Sequence, residues 1–146
     1  MQDIEKILIL KTVSIFSEVP EIYLGEIAGL IEEVELEDGD QIITKGEIGT
    51  EMFIIVSGAV IIYDGSTELA VLNERAVFGE LAALSPEPRI ASARASGDTL
   101  LFKICGDDLF ELITDNTDMV RGLVKYLINE MRRVYNIINL AAIENK

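Results

Sequence analysis

The sequence predicts an α+β protein: an eight-stranded antiparallel β-roll of the jelly-roll kind, with helices on both sides of it and one helical turn inside it. Three observations carry this. Apolar residues recur at three- and four-residue spacing before residue 33 and again after residue 105, the period of one helix face. Between those limits the chain breaks into short β-branched and aromatic runs separated by glycine-bearing turns, the pattern of a sandwich or barrel. Within that region, Glu80 to Leu84 are good helix formers stopped by Ser85-Pro86. With 146 residues the chain is read as a single domain over 1–146, with helices in 1–32, the roll in 33–105 and C-terminal helices in 106–142.

In chain order, Ile4, Ile7, Leu8 and Leu10 predict a short leading helix ending near Lys11-Thr12. Pro20 suits the first position of the next helix, where its missing N–H costs nothing, and Tyr23, Leu24, Ile27, Ala28 and Ile31 form its apolar face. The period then changes to two. Val34 to Glu37 alternates, Glu37 to Asp40 is a turn, Gln41 to Thr44 a short strand and Lys45 to Gly49 another turn. Met52 to Val56 and Val60 to Tyr63 read as strands of a hairpin around Ser57-Gly58, and Asp64-Gly65 is a second hairpin signal before Thr67 to Leu72. Ile90 to Ala95 and Leu100 to Ile104 follow as two more strands, with Gly97-Asp98 between them. Asp107 to Ile113 predicts a short helix. Asn116-Thr117-Asp118 caps a long one, whose apolar positions Val120, Leu123, Val124, Leu127, Ile128, Met131, Tyr135 and Ile138 hold a helical period for about five turns.

Composition excludes several functions. The net charge is −14, and residues 1–120 hold 7 basic against 24 acidic side chains, a net of −17, which argues against nucleic acid as a partner. An anionic ligand would be repelled at long range by that body, so its affinity must come from short-range donors in a pocket. The chain has no histidine and one cysteine, Cys105; the commonest metal ligand and the usual general base are missing, so neither a metal site nor an enzyme is expected. No apolar run approaches the ~20 residues of a membrane span, and the first residues carry no basic leader. The lone cysteine fits a reducing compartment, so the expected location is cytoplasmic.

The segment from Phe78 to Ala91 concentrates the chemistry. Gly79 lets the backbone approach a ligand closely. A helical turn starting at Glu80 presents unpaired N–H groups, which favour an anion. Arg89 follows nine residues later with a planar fork that matches phosphate oxygens. A carboxylate, a helix start and one arginine suit a group that is part anion and part hydroxyl.

Phe78-Gly79-Glu80-Leu81-Ala82 followed after five residues by Pro88-Arg89-Ile90-Ala91 resembles the phosphate-binding cassette of the cyclic-nucleotide-binding domains, the family of the catabolite activator protein, the cyclic-AMP-dependent kinase regulatory subunits and the gated channels. Gly39-Asp40, Gly46 and Gly49, and Phe53-Ile54-Ile55 with Ser57-Gly58 extend the resemblance over about residues 13 to 133. It implies that Gly79, Glu80, Leu81, Ala82, Arg89, Ile90 and Ala91 form the ligand site. Arg89 would pair with the cyclic phosphate, Glu80 would accept from the ribose 2′-hydroxyl, and amides near Ala82 and Ala91 would complete the phosphate cage. The long C-terminal helix would close over the base, with Met131, Arg132, Arg133 and Tyr135 as candidates for the base lid, among which the sequence does not choose. The residue after Arg89 is Ile90, where the family has Ala, Ser or Thr. The missing hydroxyl leans towards cyclic AMP over cyclic GMP, and the β-branched bulk is expected to crowd the phosphate.

The resulting expectation is a cyclic-nucleotide sensor with no cofactor, coupled through its C-terminal helix to an effector domain or partner protein, and a candidate homodimer through that helix. No helix-turn-helix follows the helix, so the chain is expected to be a module of a larger assembly. The alternative is a degenerate roll that binds no nucleotide and serves protein interaction or dimerisation.

Overall fold

A computed structural model of the chain describes residues 1–144. Helices α1 (Asp3–Lys11) and α2 (Glu21–Ala28) flank a 3-10 turn at Ser14–Phe16. Pro20 stands at the N-cap of α2, one residue before the position expected, with extended backbone at ψ 139°. The roll comprises β1 (Glu32–Leu36), β2 (Gln41–Ile43), β3 (Ile48–Gly49), β4 (Glu51–Asp64), β5 (Thr67–Leu72), β6 (Val77–Phe78), β7 (Glu87–Pro88) and β8 (Ser92–Cys105), with the one-turn helix α3 (Glu80–Leu84) between β6 and β7. Helices α4 (Gly106–Thr114) and α5 (Thr117–Glu144) complete the chain. All strand pairings are antiparallel. Six strands share one sheet in the order β1-β8-β4-β5, with β2 also on β8 and β6 on β4, and β3 pairs with β7 separately.

Two expected turns are not turns. Ser57-Gly58 and Gly97-Asp98 lie inside two 14-residue strands, β4 and β8, that pair along their whole length. The register jumps there: Ile55 faces Leu101, Ser57 faces Leu100 and Ala59 faces Ser96. Gly58 (φ 88°) and Gly97 (φ 75°) therefore serve bulges that bend the long strands, a role for which glycine is as well suited as for a hairpin. A Cβ on Gly58 would fall 2.6 Å from Thr99 Oγ1, so the bulges press on each other.

Side chains of β4 alternate between two cores. Met52 and Ile54 join the N-terminal helices, α4 and the first turns of α5, while Phe53 and Ile55 join Val60, Phe78, Ala93 and Leu101 inside the roll. Burial on both faces explains why Met52 to Ile55 is unbroken apolar sequence instead of an alternation. Helix α5 docks only by its start: Met119, Gly122 and Leu123 are buried, and every residue from Met131 to Glu144 is exposed.

Candidate functional site

The chain between β6 and β8 forms one side of a cavity of about 340 Å3, and the opposite walls are apolar side chains of β2, β4 and β5: Ile43, Ile62, Leu69 and Leu72. Phe53 and Phe78 stack with ring centroids 5.1 Å apart where β6 leads into the site. Gly79 then turns the chain at φ 78°, a conformation that only glycine adopts freely, and α3 begins at the next residue.

Arg89 lies in the short connection between β7 and β8. Its backbone closes the small pair of strands on either side: its N–H donates to Glu47 O at 2.8 Å, and its carbonyl accepts from Gly46 N at 2.9 Å. Its side chain is buried, with Nη2 donating to Glu51 O at 2.8 Å and Nη1 to Gly79 O at 3.3 Å. Gly79 O also accepts from Ala83 N, so the guanidinium is tied to the first turn of α3. Burial lowers the Arg89 pKa from its ordinary value, and the carboxylates of Glu51 and Glu80 oppose that. The group stays cationic, because both of its carboxylate neighbours favour the charge and arginine starts far above neutrality. Two of its five N–H groups are committed to carbonyls, which fixes the plane of the fork and leaves the others for a ligand.

Of the residues that the sequence singled out, Gly79, Glu80, Ala82, Arg89, Ile90 and Ala91 line this one cavity. The side chain of Leu81 lies outside the described residues. Ile90 lines the mouth with its side chain 84% exposed, so it stands at the rim and does not fill the space beside Arg89. Arg132, Arg133 and Tyr135 do not line the cavity: they sit on the exposed stretch of α5, and Arg133 donates to Glu130 one turn away. Three residues escaped sequence reasoning. Ser92, at the start of β8, lines the cavity and its Oγ accepts from Lys45 N at 2.9 Å. Glu51 contributes only its carbonyl, which no side-chain pattern reports. Gly49 lies under the guanidinium. The alternating apolar positions of β4 and β5 were the available signal for Ile62 and Leu72.

Among the described residues no cluster of His, Cys, Asp and Glu could hold a metal ion, and no helix is long and apolar enough to cross a membrane. What the site can do is bind: a buried cation accepts an anion, and the apolar walls accept a flat, weakly polar body.

The family model for the cyclic nucleotide-binding domain matches residues 33–116, which contain the whole cavity. The cyclic nucleotide-gated channel cone photoreceptor subunit alpha of Gallus gallus is 35% identical over 122 residues, covering 78% of this chain and 17% of that protein. The chain thus spans less than a fifth of the length of the curated relatives it matches. Among solved structures, the N-terminal domain of a transcriptional regulator from Streptomyces coelicolor A3(2) superposes with a TM-score of 0.80 at 21% identity, covering 89% of this chain and 94% of that one. A cAMP-bound PfPKA-R superposes with a TM-score of 0.71 at 23% identity, covering 88% and 47%. These two structural likenesses are likenesses of fold.

Proposed function

The chain belongs to the cyclic nucleotide-binding domain family, and from that premise we propose that it is a sensor of cyclic AMP, favoured over cyclic GMP, that signals through its C-terminal helices. The observation that carries the reading is the buried guanidinium of Arg89 at one side of an otherwise apolar cavity, tied to α3 through Gly79 O. In this reading Arg89 holds the cyclic phosphate, Glu80 accepts from the ribose 2′-hydroxyl, and amides near Ala82 and Ala91 complete the cage. The cAMP-bound PfPKA-R, alike in fold, supports the ligand class. The base preference rests on the walls: Ile43, Ile62, Leu69 and Leu72 offer no hydrogen-bonding group, and Ile90 no hydroxyl, so the extra polar groups of guanine would be left unpaired.

Signalling follows from contact. Gly106, the first residue of α4, donates its N–H to Thr50 O at 2.7 Å, next to the Glu51 carbonyl that holds Arg89. A Cβ on Gly106 would also fall 2.8 Å from Ala83 Cα of α3. Any shift of α3 towards a bound phosphate is therefore felt at the start of α4 and passed to α5, which brings a base-lid residue from Arg132, Arg133 or Tyr135 towards the mouth. A ligand that contacts one arrangement more than the other must shift the population. The module is a binding domain and not an enzyme, working in the cytoplasm with an effector domain or partner protein.

A second reading has its own observation. Val124, Leu127, Met131, Val134 and Ile138 are exposed on α5 with four- and three-residue spacing, the seam of a coiled coil, which supports pairing with a second copy of the chain.

Isothermal titration of the protein with cyclic AMP and, separately, cyclic GMP tests the first reading. Micromolar or tighter binding of cyclic AMP at one site, with weaker cyclic GMP, is the expected result. No heat with either at millimolar ligand would leave the interaction module as the function.

A further inference from the structure

Gly49 ends β3 and is buried, and its φ lies outside the left-handed region, so its backbone could carry any residue. What it could not carry is the side chain. A Cβ built on Gly49 would fall within the van der Waals surfaces of Arg89 Nε and Cζ and 2.5 Å from Nη2. The guanidinium lies flat over the bare Cα of Gly49, held there by Nη2 to Glu51 O and Nη1 to Gly79 O. On its other flank a Cβ on Gly79 would fall 2.8 Å from Nη1. Gly79 is already demanded by its φ of 78°; Gly49 has no such reason to be glycine.

We propose that Gly49 is a positioning residue for Arg89: its missing side chain is the slot that lets the guanidinium lie between the β3 backbone and the cavity with its fork aimed at the ligand. The proposal rests on the reading that Arg89 binds the phosphate. Any side chain at 49 displaces the guanidinium, because the flexible arginine yields before the strand pair does. Both carbonyl bonds then break, and the fork loses the plane in which it meets the anion. Arginine recognition of phosphate depends on that planar geometry and not on charge alone. Alanine suits a strand at least as well as glycine, so the backbone gives no other reason for a loss.

Four proteins decide it: the parent, Gly49→Ala, Arg89→Ala and the double variant, each titrated with cyclic AMP and melted without ligand. Gly49→Ala is expected to weaken cyclic AMP binding roughly 10- to 100-fold, the loss of one charge-assisted hydrogen bond. It is also expected to lower the ligand-free melting temperature in the parent background and to leave it nearly unchanged in the Arg89→Ala background, because the three heavy atoms nearest the added methyl all belong to the guanidinium. Should Gly49→Ala fail to fold while the double variant folds, the contact is confirmed more strongly still. The proposal is overturned if Gly49→Ala binds like the parent while Arg89→Ala does not, if it lowers the melting temperature equally in both backgrounds, or if neither Gly49 variant folds. Parental binding by Arg89→Ala would sink the phosphate reading instead, with the melting cycle still reporting on the slot.

Discussion

Nη2 of Arg89 donates a 2.8 Å hydrogen bond to the carbonyl oxygen of Glu51, the first residue of β4. A side chain of the cassette is thereby fixed by main chain from one of the two longest strands of the roll, 38 residues away. The orientation is set before any ligand arrives, so little ordering remains to be done on binding. Arg89→Leu removes the cation and the side-chain donors to the carbonyls of Glu51 and Gly79. We expect it to cost about 3–5 kcal/mol of cyclic AMP affinity, the scale for losing one partner of a buried ion pair, or two to three orders of magnitude in Kd by titration. Parental affinity in this variant would refute the assignment of the cassette.

Gly106 occupies a position where any Cβ would overlap the carbonyls of Ala83 and Thr50. Gly106→Ala forces α3 and α4 apart, and overpacking of this kind costs about 1–3 kcal/mol. At roughly 2–4 °C per kcal/mol for a domain of this size, the melting temperature should fall by about 2–12 °C. The more informative readout is a reporter of α5 movement, such as a fluorophore pair between the roll and α5. With α3 and α4 uncoupled, ligand should still bind and the reporter should no longer respond. An unaltered response would show that the signal reaches α5 by another route.

The order of elements, and the gathering of Gly79, Glu80, Ala82, Arg89, Ile90 and Ala91 round one cavity, were legible because each rests on local rules: helical spacing in α2 and α5, breaker residues after α3, an arginine nine residues beyond a glutamate. Ser57-Gly58 and Gly97-Asp98 were misread for a physical reason. A glycine with positive φ is needed equally by a two-residue hairpin and by a bulge, and only the partner strand decides which is formed. What holds Arg89 was illegible for another. Glu51 and Gly79 act through carbonyls, and Gly49 through the absence of a side chain, so none of the three leaves a residue-type signature linked to position 89.

Ile90 stands at the cavity mouth and is largely exposed, so replacing it should not disturb the core. Surface changes of this type are within about 0.5 kcal/mol of neutral in stability. Ile90→Thr places a hydroxyl at the rim, and one neutral hydrogen bond adds about 0.5–1.5 kcal/mol. Cyclic GMP should therefore gain up to roughly tenfold relative to cyclic AMP, read as the ratio of the two Kd values. An unchanged ratio would mean that the base preference is set by the apolar walls alone.

Burial raises the Tyr126 phenol above its ordinary pKa, the carboxylates of Glu130 and Glu80 push in the same direction, and Arg133 opposes them. With the folded value above the unfolded one, near 10, the folded state favours the protonated phenol. The stability linked to this group is complete below about pH 10 and is lost as pH rises through the folded pKa. Tyr126→Phe removes the titration. Melting temperatures of parent and variant should run parallel up to about pH 9.5 and diverge above pH 10, the parent falling further. Parallel curves throughout would show that the phenol is not held up by its surroundings.

The exposed stripe of α5 separates the sensor reading from pairing of two chains. Between Val124 and Ile138 the apolar positions advance by three, four, three and four, and the average of 3.5 keeps them on one seam only if two helices wind round each other. All five are exposed, although five aligned apolar side chains are costly to leave in water. Met131 lies at the centre of the seam and touches no core, so Met131→Glu should leave the roll intact and put like charges face to face in a parallel dimer. Sedimentation of the parent is expected to give a dimer that Met131→Glu converts to a monomer. A parent that sediments as a monomer at high concentration would leave the stripe free to close over the ligand. A variant that stays dimeric would place the contact elsewhere on the molecule.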